Sequence, residues 1–512
     1  MKQDNFYITT PIYYPSGQPH MGHAYSSIIA DVFARFKRSD NCNVYFLTGT
    51  DEHGLKIQKA AEKSGLEPKA YCDEISKVFK DFTKKLNLSN DDFIRTTEKR
   101  HYLAVNDLWN RLVKSGDIYL SKYKGWYSVS DEAYYDSGEI LDKNGKKFSS
   151  FSGSPVEWVE EDSFFFKLSS WQKKLLEFYK KNEKFILPIS RRNEVINFVK
   201  SGLKDLSVSR TSFTWGIKVP ENDSHVIYVW LDALTNYLSA LNFPNTDDKL
   251  YKSYWPASLH VIGKDILRFH AIYWPAFLLA ANIKPPKRVF SHGWILSGDE
   301  KMSKSKGNIL NPLEIISIYG IDELRYYLMK EVSHGNDGNI SLKSLENCIN
   351  SDLANNYGNL CQRVFSFIKN NCKNKVVKTK NISNSDEKLI EQTKFLTKDL
   401  RKEMHNQNLN NYIKSVINIS FLTNKYINDE EPWKFKKNDV EKMNNILHIA
   451  LEQIAKVSIL LNPIIPNTSA KVLEALSINI ELKNFSFIEG KDLIPDIIKI
   501  KELDILFKRI TK

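Results

Sequence analysis

Two polar strings, far apart in the sequence, each follow a strand-like run and restrict the architectures open to this chain. The first, His20–His23 (HMGH), comes after the apolar run Phe6–Thr10 and a turn, and it precedes an amphipathic helical pattern. The second, Lys301–Ser305 (KMSKS), follows the strand-like run Arg288–Ile295. Strand, loop and helix in that order are typical of parallel sheets, which bind ligands at the carboxyl ends of their strands. The sequence therefore predicts that the two strings form the two halves of a nucleoside triphosphate site.

The residue types in both strings suit the binding of phosphate. Histidines spaced i, i+3 project from one face of a first helical turn, where free N–H groups and the helix dipole attract anions. Gly22 lies between His20 and His23 and leaves room for a flat base. Lys301 and Lys304 supply mobile positive charges. Taken separately, the histidines also fit a surface helix and the lysines a solvated loop, but their occurrence together in this order favours a nucleotide site.

Length, charge and cysteine content place the chain among globular, basic proteins. Its 512 residues correspond to about three domains at about 150 residues each. The net charge of +12 favours a polyanionic partner, with a compositional bias towards lysine and asparagine as the alternative. The five cysteines are odd in number and lack CxxC spacing. A disulfide framework or a cysteine-rich zinc site is therefore not expected, and a reducing cytoplasm is favoured.

The sequence predicts no membrane association. Met1–Phe6 lacks the apolar run of a signal peptide. The longest apolar stretch, Ala271–Ala281, contains a proline and is shorter than the roughly 20 residues that span a bilayer. We expect a cytoplasmic protein.

Hydrophobic periodicity divides the chain into three regions. Strand-like runs typical of a parallel sheet are Phe6–Thr10, Val44–Leu47, Val226–Leu231, Leu259–Ile262 and Arg288–Ile295. Residues 116–222 interrupt this rhythm with short aromatic runs and are interpreted as an inserted module. After about Ser344 we expect no strand until near the end, and helical patterns such as Leu409–Tyr426 and Val440–Leu461 dominate.

Beyond HMGH and KMSKS, several longer strings carry a resemblance to a known family. They are Thr9–Ser27 (TTPIYYPSGQPHMGHAYSS), Phe46–Gly54 (FLTGTDEHG), Tyr228–Leu234 (YVWLDAL), Ile262–His270 (IGKDILRFH), Leu353–Arg363 (LANNYGNLCQR) and Glu431–Phe435 (EPWKF). The two short strings match the signatures of class I aminoacyl-tRNA synthetases, and the longer ones resemble the methionyl-tRNA synthetase family. The resemblance extends from about Phe6 to Pro466 and is weakest in the inserted module.

The resemblance implies an α/β fold: a Rossmann-like parallel-sheet catalytic domain, split by an inserted α+β module and followed by an all-α helical anticodon-binding domain. We expect the first catalytic half in residues 1–115, the inserted module in 116–224 and the second half in 225–290. The KMSKS loop and a stem-contact region would occupy residues 291–345, and the anticodon-binding domain residues 346–512.

The resemblance also implies an activity and a set of site residues. The family activates L-methionine with ATP, supplied as its Mg²⁺ complex, and transfers methionine to initiator and elongator tRNA(Met). The matching catalytic positions are His20, His23, Lys301 and Lys304. Those matching the ATP site are His20, Gly22, His23, Gly263, Asp265, Lys301 and Lys304. Those matching the methionine site are Ile12, Tyr14, Asp51, Trp230, Ala233, Tyr237, Ile266 and His270. Those matching the anticodon site are Asn359, Arg363 and Trp433.

The residue types at these positions fit the implied substrates. Trp230, Tyr237, His270 and Trp274 offer aromatic faces and edges, which suit contact with a thioether. The resemblance gives Asp51 the substrate ammonium. Without the resemblance, plain core aromatics are the simpler interpretation of Trp230 and Tyr237.

The inserted module departs from the family pattern. Relatives often carry zinc there on paired cysteines, but Ser128 and Asp131 stand at the first pair, and the second pair is missing around Ser149–Ser154. Because no thiolate remains, we predict no zinc and no other resident metal, and we expect hairpin packing alone to hold the module. We also expect a monomer, since the dimerisation module of some relatives does not follow the helical region.

Three alternatives remain at the level of the sequence. Another class I synthetase is one, although the cysteine enzyme needs zinc thiolates and the leucine, isoleucine and valine enzymes need a long editing insert. A nucleotidyltransferase of the same superfold would lack an anticodon unit. An RNA-binding protein with a dead active site would not need intact HMGH and KMSKS strings. Amino-acid-dependent ATP–pyrophosphate exchange distinguishes these alternatives.

Overall fold

The computed structural model describes residues 4–511 apart from 16, 132, 136, 144, 298–299, 302–309, 333–334, 380, 482–483, 486–487 and 489–491. The chain divides into two compact units. We call Asn5–Pro19 with Val44–His292 the sheet unit, and Met1–Asp4, His20–Asn43 and Gly293–Lys512 the helical unit.

Strands and helices are numbered in chain order. The strands are β1 (Asn5–Thr9), β2 (Asn43–Thr50), β3 (Asp92–Arg95), β4 (Ile118–Ser128), β5 (Ala133–Tyr135), β6 (Ile140–Lys143), β7 (Lys146–Ser149), β8 (Glu157–Phe166), β9 (Ile186–Leu187), β10 (Leu206–Ser207), β11 (Ser209–Arg210), β12 (Lys218–Val219), β13 (Asn222–Ile227), β14 (Leu259–Gly263), β15 (Val289–His292), β16 (Ile295–Ser297), β17 (Glu300–Lys301), β18 (Gly338–Asn339), β19 (Lys375–Val377) and β20 (Ile497–Lys499). The α-helices are α1 (Met21–Ser39), α2 (Leu55–Ser64), α3 (Pro68–Lys85), α4 (Lys99–Lys114), α5 (Leu168–Lys181), α6 (Ile189–Lys200), α7 (Val229–Ser239), α8 (Lys249–Tyr254), α9 (Trp274–Ala280), α10 (Pro312–Tyr319), α11 (Ile321–Glu331), α12 (Leu342–Cys348), α13 (Asn359–Asn371), α14 (Asn384–Thr397), α15 (Leu400–His405), α16 (Leu409–Glu430), α17 (Val440–Leu461) and α18 (Pro466–Ala475).

The sheet unit is built on a six-stranded sheet of order β3-β2-β1-β14-β15-β9. β14 pairs in parallel with β1 and β15, β15 with β9, and β2 with β3. The predicted strands Phe6–Thr10, Val44–Leu47 and Leu259–Ile262 lie in or within one residue of β1, β2 and β14, which confirms the Rossmann-like prediction. Apolar side chains of this sheet and of α4, α7 and α9 form one buried core, for example Leu47, Leu108, Leu234, Ile262 and Phe277.

The inserted module contains two antiparallel sheets and a hairpin. β8 and β4 run the length of a four-stranded sheet of order β10-β8-β4-β5, and β6 pairs with β7. A three-stranded sheet has the order β11-β13-β12. The prediction of one parallel strand over Val226–Leu231 is wrong, because β13 is antiparallel and ends at Ile227, and α7 begins at Val229.

The helical unit contains α1 and the helices that follow the central sheet. In α16 and α17 apolar residues recur at helical spacing and are buried, as at Tyr412, Ile413 and Val416. The predicted apolar stripe of α1 is likewise buried, and the ring of Phe36 meets Tyr412 edge-on with centroids 5.9 Å apart. The prediction of no strand between about Ser344 and the end is wrong at β19, which pairs with β20.

A fully buried ion pair joins α1 to α11 within the helical unit. Arg325 Nη2 lies 2.6 Å from Asp31 Oδ2, and both side chains are inaccessible to solvent. Arg325 also donates to the carbonyl oxygens of Pro463 and Ile464. Good geometry and extra hydrogen bonds are what offset the desolvation of a buried pair. In the part of the chain that the structure describes, no helix has the length and hydropathy needed to cross a membrane.

Candidate active site

The start of α1 is capped by two histidines in place of the usual serine or aspartate. His20 is the N-cap residue, and its Nδ1 accepts from Gly22 N at 3.1 Å. His20 N in turn donates to His23 Nδ1 at 3.2 Å, which completes a capping box. The two rings stack with centroids 3.7 Å apart. The structure thus brings His20 and His23 together, as the sequence predicted.

This capping fixes the proton positions on both rings. Because each Nδ1 accepts a backbone N–H, each neutral ring carries its proton on Nε2 and is a donor there. Burial, together with the neighbouring His20, lowers the pKa of His23 well below its ordinary value. His23 is therefore a neutral donor at pH 7.

Gly22 has a second reason to be glycine. A Cβ placed there would lie 3.0 Å from His20 Cε1 and 3.1 Å from His20 Nδ1. Any larger residue would push the capping ring aside. This steric reason comes in addition to the room for a base that the sequence indicated.

The lysine string lies almost wholly outside the described residues. Lys301 ends β17, a two-residue strand whose partner β16 pairs at Leu296 and Ser297. Lys304 lies outside the described residues. The assignment of both lysines to ATP remains a prediction from the sequence.

The carboxyl ends of β1 and β2 carry three of the predicted methionine contacts. Tyr13 N donates to Gly49 O and Asp51 N donates to Tyr13 O, so the segment that holds Ile12 and Tyr14 runs beside Asp51. Asp51 is 7% exposed and directly follows β2. Tyr14 OH donates to His53 O at 3.2 Å. These three predicted residues therefore lie together at the edge of the sheet expected from its parallel order, and their assignment to methionine stays a prediction.

Aromatic rings on α7 and on the segment after β14 meet in the same unit. Tyr237 OH donates to His270 Nε2 at 2.8 Å, while His270 Nδ1–H donates to Ile266 O at 3.0 Å. Burial lowers the pKa of His270 to about 4, so the ring is neutral and this tautomer holds. Trp230 meets His270 edge-on with centroids 6.4 Å apart, and Tyr237 meets Trp274 at 6.1 Å.

The Trp230 indole packs against this group of aromatic residues. Its ring stacks flat on Phe269 with centroids 3.7 Å apart. Its Nε1 has no hydrogen-bond partner among the residues that the structure describes. Ala233, one turn along α7, is buried. The predicted residues Trp230, Tyr237, Ile266 and His270 thus belong to one cluster.

The sequence did not predict the role of Asp232, a buried carboxylate on α7. Asp232 Oδ2 accepts from His53 Nδ1 at 2.7 Å, and its Oδ1 accepts from His101 Nε2 at 2.6 Å. Burial opposes ionisation of Asp232, but His53 and His101 outweigh it and lower its pKa to about 2. Asp232 lies next to Ala233, and His53 is two residues past Asp51, so this network joins α7 to the segment that follows β2. His53 belongs to the string FLTGTDEHG and Asp232 to YVWLDAL, yet their separation of 179 residues hides the contact.

Gly263 and Asp265 lie at the carboxyl end of β14. A Cβ at Gly263 would come within 2.5 Å of Asp265 Oδ1, so glycine lets this carboxylate lie against the backbone. Asp265 is exposed, in a single turn of 3₁₀ helix over Lys264–Ile266. An exposed acid at this edge is available to a polar ligand.

In the helical unit the predicted anticodon residues lie on neighbouring helices. Asn359 and Arg363 lie on α13, and Arg363 Nη2 donates to Asn428 Oδ1 on α16 at 2.7 Å. Both line a cavity of about 1380 Å³ between helices of this unit. Trp433 lies in a 3₁₀ turn over Pro432–Phe435 and is 39% exposed.

Serines and an aspartate form a hydrogen-bonded cluster where the cysteines of relatives would stand. Asp131 accepts from Tyr135 OH at 2.8 Å and from Ser154 Oγ at 2.9 Å, and it also accepts from Ser152 Oγ. The expectation that hairpin packing alone holds the module is therefore wrong. Within the described ranges, no group of three or more His, Cys, Asp or Glu side chains is placed to hold a metal ion. The absence of zinc remains a prediction.

Comparisons with known proteins indicate the same family over nearly the whole chain. A family described as tRNA synthetases class I (M) matches residues 6–365, and the anticodon binding domain of methionyl tRNA ligase matches residues 376–512. The methionine–tRNA ligase of Brucella suis is 47% identical over 95% of this chain and 94% of its own. That of Rickettsia typhi is 48% identical over 99% and 100%. The structure of Mycobacterium tuberculosis methionyl-tRNA synthetase in complex with methionyl-adenylate has a TM-score of 0.96 and 42% identity, and it covers 99% of this chain and 100% of that one.

Proposed function

Because this chain belongs to the methionyl-tRNA synthetase family, we propose that the histidine-capped start of α1 and the clustered aromatic residues of the sheet unit carry the two substrates of its first reaction. The chain is a methionine–tRNA ligase, which activates L-methionine with ATP to methionyl-adenylate and transfers methionine to the 3′ end of tRNA(Met). The methionine carboxylate is itself the nucleophile of the first step, so the protein contributes orientation and charge stabilisation.

His20 and His23 stabilise the triphosphate as neutral donors. The methionine carboxylate attacks the α-phosphorus of ATP, and negative charge develops on the departing pyrophosphate. Two Nε2–H groups on one helical turn, held by their own Nδ1 hydrogen bonds, need no reorganisation to meet that charge. This double capping is the observation that carries the proposal. Lys301 and Lys304 add positive charge, which the two neutral rings do not provide.

Gly263 and Asp265 are two further residues that we assign to ATP. Both lie at the carboxyl end of β14, the edge at which parallel sheets bind ligands. ATP binds as its magnesium complex, and no resident metal takes part. Gly22 leaves space above the helix start for the base.

Methionine is held by one acid and a set of neutral groups. Asp51 binds the substrate ammonium from the end of β2. Ile12, Tyr14, Trp230 and Ala233 surround the side chain, and His270 holds Tyr237 in place through a fixed tautomer. A neutral histidine and aromatic faces suit a thioether, whereas a charged group would favour polar side chains.

Asn359, Arg363 and Trp433 read the anticodon of tRNA(Met), initiator and elongator. Amide and guanidinium groups bind base edges, and an exposed indole offers a stacking surface. Asn428 orients Arg363, which favours a defined contact over a mobile surface charge. We also propose that the protein acts as a monomer in the cytoplasm, because all three substrates are soluble and one chain contains every residue assigned above.

ATP–pyrophosphate exchange with each of the twenty amino acids tests this function without tRNA. We expect exchange with methionine alone at low substrate concentration, and at least about tenfold weaker exchange with homocysteine, which lacks one methyl group. Equal exchange with another amino acid, or none with methionine, would refute the methionine assignment. Substituting Asn for His20 retains a capping oxygen but removes the Nε2 donor, so it separates the helix cap from the ATP contact.

A further inference from the structure

The strongest unassigned feature is the polar cluster of the inserted module, which we call the Asp131 cluster: Ser128, Asp131, Tyr135, Ser152 and Ser154. Three hydroxyl groups donate to the Asp131 carboxylate, and Asp131 N donates to Ser128 Oγ at 3.3 Å. The donors come from two separate segments, one beside Asp131 and one about twenty residues further along. One half-buried carboxylate therefore cross-links the module, as a bound metal would.

The second of these segments contacts the start of the π-helix Phe269–Tyr273. Ser150 N donates to Glu139 O at 2.7 Å, which joins the 3₁₀ turn at Glu139 to the cluster's second segment. Glu139 Oε1 lies 3.0 Å from Arg268 Nη1. The Arg268 guanidinium also lies over the ring of Phe151, 5.2 Å from its centroid. Two contacts from the cross-linked segments therefore converge on Arg268.

The first segment contacts the next residue of the same π-helix. Tyr135 and Val156 form a small buried apolar cluster, and Phe269 packs against it. Phe269 also stacks on Trp230 with an interplanar angle of 5°. Trp230 in turn meets His270 edge-on. A continuous path of packed groups thus leads from the Asp131 carboxylate to the wall of the methionine pocket.

We infer that Asp131 is a positioning residue for methionine binding, acting through Phe269 and Trp230. The inference rests on the proposed methionine pocket. Asp131 holds Tyr135 by a hydrogen bond, and Tyr135 and Val156 pack against Phe269. Through Ser152 and Ser154 it also holds the segment that carries Phe151 against Arg268. Loss of the carboxylate frees both supports, so the Phe269–Trp230 stack loses its fixed position, whereas His20 and His23 are held by their own capping hydrogen bonds.

Asp131→Ala tests this inference in the full chain by ATP–pyrophosphate exchange. We expect the KM for methionine to rise about tenfold, with the KM for ATP and the kcat within twofold of wild type, since small misplacements of a binding wall are costly. Should Asp131→Ala fail to fold, the double variant Ser152→Ala/Ser154→Ala keeps the carboxylate and removes two of its donors. A smaller rise in methionine KM, about threefold, is expected there.

A matched control lies in the same module. Asp142 Oδ1 accepts from Gly145 N at 3.0 Å and Asp142 pairs with Lys147, so it closes the β6–β7 turn. The hydrogen bonds and the ion pair that the structure shows for the Asp142 carboxylate go to Gly145 and Lys147 of the same hairpin. Asp142→Ala should leave both KM values unchanged.

The path through Phe269 is tested by a double-mutant cycle. Phe269→Leu removes the stacking ring and should itself raise the methionine KM. If Asp131 acts through this ring, the double variant Asp131→Ala/Phe269→Leu raises KM by clearly less than the product of the two single effects.

The possible results separate the inference from the proposed function. A methionine KM within twofold of wild type for Asp131→Ala would overturn the inference, as would equal changes for methionine and ATP, a matching shift in Asp142→Ala, or single effects that multiply fully. A selective, non-multiplicative rise supports it. Absence of methionine-dependent exchange in the wild type would remove the proposed function itself, and with it the basis of the inference.

Discussion

At the scale of single residues, Asp232 connects α7 to His53 and His101 in the sheet unit. Its side chain is fully buried, and both oxygens accept a histidine N–H. Such a carboxylate is stable inside a protein only while its donors remain, since an unpaired buried charge costs several kcal/mol. The sequence places Asp232 on the first turn of α7, so its loss also frees the helix that carries Trp230.

We predict that Asp232→Asn lowers the free energy of unfolding by about 3 kcal/mol at pH 7, because an amide cannot accept from both histidines without a donor clash. The lowered pKa of Asp232 stabilises the fold above the unfolded-state pKa of about 3.9, and this contribution is lost as pH falls towards about 2. The difference between wild type and variant should therefore shrink below about pH 4. Denaturant titrations at pH 7, 4 and 3 measure it.

Asp107→Asn is the control for that experiment. Asp107 forms an exposed i, i+4 pair with Arg111 on α4, and its loss should change the free energy of unfolding by less than about 1 kcal/mol. An Asp232→Asn variant as stable as this control would contradict the role given to the buried carboxylate.

Residue types and spacing indicated the paired histidines, and the family resemblance indicated Tyr237 and His270; the structure brings each of these two pairs into contact. Neither was enough to find His53 and His101 as partners of Asp232. That contact joins residues 131 and 179 positions apart, and no local pattern encodes it. For the same reason the sequence indicated the serines of the Asp131 cluster only as missing cysteines, not as donors to a carboxylate.

At the scale of elements, the start of α7 shows where periodicity misleads. The run from Val226 to Leu231 is rich in β-branched and aromatic residues, which favour a strand. The chain instead leaves β13 at Ile227 and turns into a helix, and the Asp232 N–H already donates to Tyr228 O. The buried network around Asp232 outweighs local preference, as tertiary contacts often do. In α16 and α17 no such conflict exists, and their predicted spans agree closely with the structure.

The position of α1 depends on the buried pair of Asp31 and Arg325. We predict that Asp31→Ala lowers the free energy of unfolding of the chain by about 3–5 kcal/mol, because it removes the carboxylate that pairs with a fully buried guanidinium. Arg35→Ala removes the partly exposed second partner of Asp31 and should cost less than about 1 kcal/mol. Thermal or denaturant unfolding measures the free energy of unfolding of both variants. Equal decreases in Asp31→Ala and Arg35→Ala would contradict the role given to the Asp31–Arg325 pair.

The 3₁₀ turn that presents Trp433 should matter only for tRNA. We predict that Trp433→Ala lowers kcat/KM for tRNA(Met) charging at least about tenfold, because a stacked base is worth about 1–3 kcal/mol, and leaves tRNA-free methionine exchange within twofold. Trp158, 52% exposed on β8 of the inserted module, gives a matched Trp→Ala control. If both reactions fell equally in Trp433→Ala, the assignment of this turn to the anticodon would fail.

At the scale of the whole molecule, the alternation of strands and helices predicted the parallel sheet, and the late helical periodicity predicted the helical unit. The division into units follows contacts that join distant parts of the chain. Nothing in the sequence around α1 shows that it belongs with residues beyond 293, since the Asp31–Arg325 pair spans 294 positions. The predicted domain boundaries therefore stay a prediction.

The net charge of +12 gives a prediction for the complete reaction. Cations that neutralise RNA phosphates release counterions, so we expect the KM for tRNA(Met) to rise at least about tenfold between about 50 and about 200 mM salt. The KM for methionine in exchange should change less than about twofold over the same range, because a neutral zwitterion binds in a partly buried pocket. If the KM for tRNA(Met) and the KM for methionine rose equally with salt, the net positive charge would not account for tRNA binding.

Because the ring that closes the first turn of α1 is also assigned to the nucleotide, a substitution at position 20 that removes the capping acceptor changes two properties at once. A side chain without a suitable acceptor loosens the end of the helix and removes a ligand contact in the same step. The drop in ATP affinity measured for such a variant then includes the fraying of a helix and overstates the strength of one hydrogen bond.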